Sequence, residues 1–332
     1  MKITFFSAKP YDWEFFDKKN KSYGFELEYF ETHLGPHIIN AVEHAEAVCV
    51  FVNDKLNAEV IKILSSKGVK VIALRCAGFN NVDLEAAKLH GIKVCRVPSY
   101  SPEAVAEHAV AMLMTLNRKT HKAYNRVREQ NFSLNGLMGF DVHGKTAGVV
   151  GTGNIGKAFC KIMLGFGCKV IAYDVAANEE LVALGVEYLP MEELFKRADI
   201  LSLHCPLNEK TRHLVKEETI RMMKKGVMVI NTSRGGLIDT KAVIGALKSR
   251  QIGSLGIDVY EQEDKLFFRD LSEDIIQDDT IQRLMSFPNV LVTAHQGFFT
   301  EEALEQIASS TLSNIKQLLE GKALTPKEAQ LV

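Results

Sequence analysis

The stretch Thr146-Ala147-Gly148-Val149-Val150-Gly151-Thr152-Gly153-Asn154-Ile155-Gly156 runs from an apolar segment straight into a G-x-G-x-x-G pattern. The apolar segment predicts a buried parallel strand, and residues 157–164, which follow, have a helical pattern. A second apolar segment at 169–173 then ends at Asp174. A glycine-rich turn alone is weak evidence, but strand, turn, helix, strand and terminal acid in this order are typical of a dinucleotide-binding unit.

Each glycine of the pattern has its own expected role. Gly151 makes the tight turn, Gly153 lets the backbone approach a pyrophosphate, and Gly156 lets the helix pack closely on the strand. The start of the helix then offers unpaired N–H groups and the positive end of its dipole to the phosphates.

The acid at the end of the second strand predicts which dinucleotide binds. Asp174 follows Gly151 by 23 positions, close to the offset of about 20 that is expected for the ribose-binding acid. Its carboxylate accepts hydrogen bonds from a ribose diol but repels a 2′-phosphate. Residues 175–177 contain no arginine that would offset this repulsion. We therefore predict NAD rather than NADP.

The composition predicts a globular cytoplasmic protein of about two domains. The 332 residues are 46% hydrophobic and 24% charged, with a net charge of −1, so a nucleic-acid partner and an acidic membrane surface are not expected. The apolar run at the N-terminus is too short for a signal peptide, and no segment approaches the length of a membrane span. The six cysteines lie mostly in apolar patterns and fit a reducing compartment.

Residues 1–100 alternate strand and helix patterns but contain no nucleotide fingerprint. Strands are predicted at 3–7, 25–30, 47–52, 69–74 and 92–97, with helices at 57–67 and 84–89. This alternation predicts a parallel sheet with helices on its faces, in a domain separate from the one that follows. Ser101 and Pro102 are typical of the start of a helix, which we expect to be long and buried.

The same alternation continues after Asp174. Further strands are predicted at 200–204, 227–231, 255–260 and 289–294, helices lie between them at 191–196, 217–223 and 240–249, and a last amphipathic helix is predicted up to about Leu319. In parallel α/β sheets, ligands bind outside the carboxyl ends of the strands. We therefore expect polar residues at those ends to converge on one edge of the sheet.

Arg234 is a candidate ligand for a carboxylate. It follows strand 227–231 among Thr232, Ser233 and two glycines. A guanidinium binds a carboxylate through two parallel hydrogen bonds and stays charged at any relevant pH. The alternative is a surface arginine in a polar turn. The small neighbours favour binding, because they allow a ligand to approach closely.

His295 is a candidate acid. A histidine at a strand end donates a proton to a carbonyl oxygen as a hydride reaches the carbon, although such residues more often make structural hydrogen bonds. Glu263 is its candidate partner, since a neighbouring carboxylate favours the protonated ring. The alternative for Glu263 is a solvated acidic loop, and composition does not distinguish it from Glu261 and Asp264.

Two further residues, Asp258 and His108, are each open to more than one interpretation. Asp258 at a strand end either orients a nicotinamide carboxamide or supports Arg234, or else it caps the loop that follows. His108 on the long helix is more typical of a core or capping histidine than of a ligand. No Cys/His cluster has zinc-ligand spacing, so no metal site is predicted.

These motifs together resemble the D-isomer-specific 2-hydroxyacid dehydrogenases over nearly the whole chain. The resemblance rests on the glycine pattern and on the segments 231–235, 256–263 and 293–296, and the segments 74–83 and 97–108 are similar to those of the D-lactate-forming members. It implies an NAD-binding Rossmann domain at 101–297. It also implies a discontinuous, flavodoxin-like substrate domain formed by 1–100 and 298–332, so that the fold is α/β with two doubly wound parallel sheets.

The resemblance assigns roles that the spacing alone does not show. It implies that Arg234 binds the substrate carboxylate, that His295 is the acid/base and that Glu263 is its partner. The residues it places around NAD are Asn154, Ile155, Asp174, Cys205, Pro206, Thr211, Thr232, Ser233 and Asp258. Those it places around the substrate, besides Arg234 and His295, are Ala77, Gly78, Tyr100 and Phe298.

The predicted activity is reduction of pyruvate by NADH to D-lactate, and the reverse reaction. One alternative is a dehydrogenase for another D-2-hydroxy acid. The other is an NAD-sensing binding protein similar to the corepressors that share this fold, against which the absence of a Pro/Ser-rich tail counts. The expected partners are a small-molecule substrate and further copies of the chain, in a dimer or a tetramer.

Overall fold

A computed structural model describes residues 1–263 and 266–332. The chain divides into two compact units, which we call unit 1 (Met1–Ser101 and Phe299–Val332) and unit 2 (Pro102–Phe298). Within the described ranges, no helix has both the length and the apolarity that crossing a bilayer requires.

Unit 1 is built on a five-stranded parallel sheet in the order β2-β1-β3-β4-β5. This is the flavodoxin-like order, so the predicted class of the first domain is confirmed. The strands are β1 (Lys2–Phe5), β2 (Glu26–Tyr29), β3 (Ala47–Val50), β4 (Val71–Leu74) and β5 (Lys93–Arg96). The helices are α1 (Pro10–Asn20), α2 (Ala58–Ser66), α3 (Leu84–Leu89) and, from the end of the chain, α12 (Glu301–Leu319).

The last helix packs on unit 1. Thr300 caps its start by accepting a hydrogen bond from the Ala303 N–H. Lys18 of α1 pairs with Glu305 at 2.6 Å, and Asn314 donates to the carbonyl oxygen of Arg96. The segment 299–332 therefore belongs structurally with the first hundred residues.

One buried ion pair joins the strand ends of unit 1. Arg75 follows β4 and has a side chain that is 2% exposed; it binds Asp12 of α1 at 3.0 Å and donates to the carbonyl oxygens of Phe6 and Ser7 beyond β1. The guanidinium is thus paired with a carboxylate and two carbonyl oxygens inside unit 1, so Arg75 has a structural role.

Unit 2 contains a seven-stranded parallel sheet in the order β12-β11-β10-β9-β6-β7-β8. This is the Rossmann order with one additional strand next to β11. The strands are β6 (Thr146–Val150), β7 (Lys169–Tyr173), β8 (Glu187–Tyr188), β9 (Ile200–Leu203), β10 (Val227–Asn231), β11 (Ile252–Ile257) and β12 (Val290–Val292). The helices are α4 (Pro102–Arg118), α5 (Thr120–Arg128), α6 (Asn154–Gly165), α7 (Glu179–Ala183), α8 (Met191–Arg197), α9 (Glu217–Met222), α10 (Thr240–Ser249) and α11 (Asp279–Met285).

The sheet of unit 2 is apolar on both faces, as a parallel sheet requires. Along β10, Val227 and Val229 enter one core, while Met228 and Ile230 enter the core that α4 and α6 cover. Because the central strands are buried on both sides, their side chains are mostly apolar, and Ser202 of β9 is a fully buried polar exception.

The strand predicted at 255–260 was placed wrongly. The structure has it at Ile252–Ile257. Ser254 pairs with Met228 of β10, and the register shifts between Ile252 and Ser254, although neither Gly253 nor Ser254 favours strands. Asp258 is therefore the first residue beyond the strand, and Tyr260 already belongs to the loop.

Candidate functional site

The glycine turn between β6 and α6 is open at one position and closed at two. Gly151 has a φ of +92°, and a Cβ atom there would lie 2.6 Å from the Cys205 nitrogen beyond β9. A Cβ at Gly156 would lie 1.9 Å from the carbonyl oxygen of Gly151. By contrast, no atom lies within 4 Å of a Cβ built on Gly153. The turn thus leaves free space beside Gly153, just before the N-terminus of α6, where a phosphate would bind.

Asp174 is held at the rim of this space. One of its oxygens accepts hydrogen bonds from the Thr152 N–H at 2.6 Å and the Thr152 hydroxyl at 3.1 Å, and the other accepts from the Val175 N–H at 2.6 Å. Tyr188 on the edge strand β8 was not predicted to contribute here; its hydroxyl donates to the Thr152 oxygen at 2.9 Å. These bonds fix the carboxylate orientation and still leave oxygen lone pairs for a ribose diol.

Hydrogen bonds and close contacts join the ends of the neighbouring strands. The Ser233 hydroxyl, after β10, donates to the Cys205 carbonyl oxygen after β9 at 2.7 Å. Asn231 donates to the carbonyl oxygen of Arg234 at 2.9 Å. A Cβ on Gly235 would lie 2.1 Å from the carbonyl carbon of Tyr260, in the loop after β11. The turn that carries Arg234 is therefore packed directly against the loop that leads to Glu263.

The Arg234 guanidinium is half-buried, and its recorded partner is the carbonyl oxygen of Ser233 at 2.7 Å. Within residues 1–263 and 266–332, no carboxylate forms an ion pair with it, in contrast to Arg75. A half-buried guanidinium without a protein anion has donors left for a ligand carboxylate.

His295 and Glu263 are in contact. The Nδ1 atom of His295 lies 2.9 Å from a carboxylate oxygen of Glu263, and both side chains are less than 20% exposed. The second oxygen of Glu263 accepts the Tyr260 N–H at 2.9 Å, which fixes the carboxylate. Glu261 instead binds His213 and Thr240, and Asp264 lies outside the described residues. Glu263 is thus the acid beside His295, and no hydrogen-bond partner of the His295 Nε2 atom is recorded in the described part of the chain.

Asp258 lies beneath the turn that carries His295. Its two oxygens accept the N–H groups of Gln296 and Gly297, each at 2.9 Å. The residue is 1% exposed, and it caps the turn after β12 rather than the loop that follows Asp258 itself. Burial acts to raise the pKa of this carboxyl, but the hydrogen bonds from His108 and Thr293 outweigh it, so the pKa is below the usual value.

The other residues predicted near the cofactor occupy the ends of β9 and β10. Cys205 is buried, which raises the pKa of its thiol to about 11, so it is neutral. The Thr211 hydroxyl donates to the carbonyl oxygen of Pro206 at 2.6 Å and so closes the loop 206–211. The Thr232 hydroxyl is buried and has no hydrogen-bond partner among the described residues.

The predicted substrate residues are divided between the units. Ala77 and Gly78 follow β4 in unit 1, where the Ala77 carbonyl accepts a bond from Arg96 at 2.8 Å. Tyr100 also belongs to unit 1, whereas the buried Phe298 is the last residue of unit 2.

A family model described as the NAD binding domain of D-isomer specific 2-hydroxyacid dehydrogenases matches residues 110–297, which is more than half of the chain. The chain belongs to the D-isomer specific 2-hydroxyacid dehydrogenases. The predicted cofactor, NAD, and the predicted class of enzyme, an NAD-dependent oxidoreductase, are thereby confirmed.

Full-length relatives agree with this assignment. The chain is 55% identical over 316 residues to 2-hydroxyacid dehydrogenase homolog 1 of Schizosaccharomyces pombe, with 95% of each chain covered. It is similar to the apo-structure of D-lactate dehydrogenase from Escherichia coli, with a TM-score of 0.92, 50% identity and all of both chains covered. It is also similar to the D-lactate dehydrogenase of Aquifex aeolicus complexed with NAD and lactic acid, with a TM-score of 0.87, 35% identity and 99% of each chain covered.

The glycine turn yields opposite expectations for two substitutions. Gly153→Ala adds a methyl group to open space, so it should leave the unfolding temperature within about 2 °C of the parent and weaken NADH binding about tenfold or more. Gly156→Ala forces a backbone contact of 1.9 Å and should cost at least about 1–3 kcal/mol of stability. Thermal unfolding and NADH fluorescence titration measure both effects.

Gly245→Ala in α10 is the matched control, because a Cβ there also meets no atom within 4 Å. It should change neither the NADH affinity nor, beyond a slight gain, the unfolding temperature. Unaltered NADH binding by Gly153→Ala would contradict the placement of the pyrophosphate.

Proposed function

We propose that this protein reduces pyruvate with NADH to D-lactate and catalyses the reverse reaction. The observation that carries the proposal is that Arg234 and the His295–Glu263 pair both lie at the strand ends of the sheet that holds the glycine turn. No carboxylate among residues 1–263 and 266–332 forms an ion pair with Arg234. The names of the similar Escherichia coli and Aquifex aeolicus enzymes support D-lactate as the product.

The three side chains have distinct proposed roles. Arg234 binds the substrate carboxylate through its free N–H donors and places the ketone beside the cofactor. The Nδ1–H of His295 donates to Glu263, which leaves the Nε2–H to protonate the carbonyl oxygen. In the reverse direction, the neutral Nε2 accepts the hydroxyl proton. NADH, when bound, supplies the hydride that reduces the substrate C2.

We propose that NAD binds along the strand ends of unit 2. The free space beside Gly153 fits a pyrophosphate, and the fixed carboxylate of Asp174 fits a ribose diol. The remaining contacts come from residues whose backbone or side chains face that edge, namely Gly151, Asn154, Ile155, Gly156, Cys205, Pro206, Thr211, Thr232 and Ser233. Residues 101–297 are thus the proposed NAD-binding domain, and residues 1–100 and 298–332 are the proposed substrate domain.

The substrate preference is a finer part of the proposal. Ala77, Gly78, Tyr100 and Phe298 are the proposed substrate-contacting residues besides Arg234 and His295. The aromatic side chains of Tyr100 and Phe298 suggest a small, partly apolar pocket, which would suit the methyl group of pyruvate. A larger D-2-hydroxy acid is the nearest alternative, and an NAD sensor without turnover is the more distant one.

A spectrophotometric screen of 2-keto acids tests the activity and the cofactor together. With NADH, we expect pyruvate to give the highest kcat/KM and the product to be the D enantiomer. With NADPH, kcat/KM should be lower by about a hundredfold or more, because the Asp174 carboxylate repels the 2′-phosphate. An L product, or NADH binding without turnover of any 2-keto acid, would overturn the proposed function.

Removal of the acid tests the role of His295. His295→Gln should lower kcat for pyruvate by about 10²–10⁴-fold, the range expected for general acid catalysis, and should change the NADH dissociation constant less than threefold. His213→Gln is the matched control, because His213 is also paired with a glutamate, at 2.8 Å from Glu261. Turnover by His295→Gln at the parental rate would remove this residue from the mechanism.

We propose that the protein is a cytoplasmic homo-oligomer, a dimer or a tetramer. The six cysteines are all free and buried, which fits a reducing compartment.

Large apolar side chains are exposed along α5 and the loop after it, at Tyr124, Val127, Phe132, Leu134 and Met138. A patch of this kind marks an interaction surface, and two-fold pairing with a second copy is the commonest way to cover it.

Sedimentation measures this assembly directly. At micromolar concentration the protein should sediment as a dimer or a tetramer, and the combined variant Phe132→Ser, Leu134→Ser, Met138→Ser should sediment as a smaller species. A parent protein that sediments at 37.0 kDa, the mass of one chain, would refute the oligomer.

A further inference from the structure

A histidine on the first helix of unit 2 contacts the buried carboxylate below the His295 turn. The Nε2 atom of His108, on α4, lies 3.3 Å from a carboxylate oxygen of Asp258 and 3.1 Å from the hydroxyl oxygen of Thr293. Thr293 in turn donates to the same Asp258 oxygen at 2.5 Å. The side chains of His108 and Asp258 are 15% and 2% exposed. The three groups therefore form one network that is largely shielded from water.

This network fixes the backbone of the turn that carries His295. The backbone of His295 has a φ of +55°, in the left-handed region that residues other than glycine rarely adopt. It is held there by three bonds to one residue: the His295 N–H donates to the Asp258 carbonyl oxygen at 2.8 Å, and the next two N–H groups donate to the Asp258 carboxylate. The position of the imidazole therefore depends on the position of Asp258.

Asp258 needs a partner for its charge. A carboxylate withdrawn from water is costly unless it is paired and hydrogen-bonded. Among the side chains that the structure describes, His108 is the only basic one within ion-pair distance of Asp258. Gly297 leaves room for this contact, because a Cβ there would lie 3.0 Å from the Asp258 oxygen and 3.5 Å from the His108 ring.

We propose that His108 is a positioning residue for the acid/base His295 and acts through Asp258 and the turn that Asp258 holds. It touches neither the reacting atoms nor the cofactor in this role. By donating to Asp258, it keeps the carboxylate aligned with the Gln296 and Gly297 N–H groups. Its effect on turnover rests on the proposed function of His295, whereas its effect on the turn does not.

The expected consequence is a loss of rate rather than of binding. Without the donor on His108, Asp258 shifts toward its remaining partners or takes up a proton, and the left-handed turn loosens. A displacement of about 1 Å in a catalytic group costs up to about a hundredfold in rate. The glycine turn and Asp174 lie on other strands, so the affinity for NADH should be retained.

The test compares His108→Leu with His108→Gln, whose side-chain amide places an N–H donor near the position of the histidine Nε2. His108→Leu should lower kcat for pyruvate about 10–100-fold with less than a threefold change in the NADH dissociation constant. His108→Gln should recover kcat to within about fivefold of the parent. His121→Leu, in the adjacent helix α5, is the control and should retain the parental kcat.

Amide hydrogen exchange at Gln296 and Gly297 provides a readout that needs no substrate. We expect His108→Leu to raise the exchange rate of these two amides about tenfold or more, and His108→Gln to leave it near the parental value. Unchanged exchange in a folded His108→Leu protein, or a parental kcat in that variant, would overturn this inference. Failure of the proposed function would appear differently, as a lack of pyruvate turnover in the parent protein while the exchange rates still respond.

Discussion

The parallel pairing of β6, β9, β10, β11 and β12 is the constraint on which the site depends. Parallel strands all end at the same edge, so the ends of five strands meet there, although β6 ends at Val150 and β12 ends at Val292. Local contacts then fix the positions of these strand ends relative to one another. The turn at Gly151 packs against Cys205, the Ser233 hydroxyl donates to the carbonyl oxygen of Cys205, and the turn at Gly235 packs against Tyr260. Without the parallel sheet, none of these contacts would bring a guanidinium and an imidazole near a dinucleotide turn.

A comparison of the buried Arg75 with the half-buried Arg234 separates a structural arginine from a candidate binding residue. Arg75 has a carboxylate and two carbonyl oxygens as partners, so its charge is used within unit 1. The Arg234 guanidinium donates a hydrogen bond to the carbonyl oxygen of Ser233, in its own turn. Since an arginine stays charged at every relevant pH, this difference in partners leaves Arg234 with N–H donors for the anionic substrate that we propose.

The sequence predicted the parts of the site that depend on spacing. The glycine pattern and the offset to Asp174 identified the nucleotide turn, because its geometry leaves little freedom in residue type and distance. The pairing of Glu263 with His295, rather than of Glu261, depended on how the loop after β11 folds back, and composition carried no information on it. The contact of Tyr188 with Thr152 and that of His108 with Asp258 were not predicted, because each links elements that are distant in sequence. No role was predicted for the acidic segment 267–280. In the structure, Phe267 packs in the core of unit 2. Asp278 caps the start of α11 and accepts a hydrogen bond from the Tyr260 hydroxyl.

The most direct measurement is a crystal structure with NADH and oxamate, a non-reacting analogue of pyruvate. We expect the oxamate carboxylate to bind the Arg234 guanidinium and the oxamate carbonyl oxygen to lie within hydrogen-bond distance of the His295 Nε2. An oxamate molecule bound next to the nicotinamide but in contact with neither side chain would contradict it.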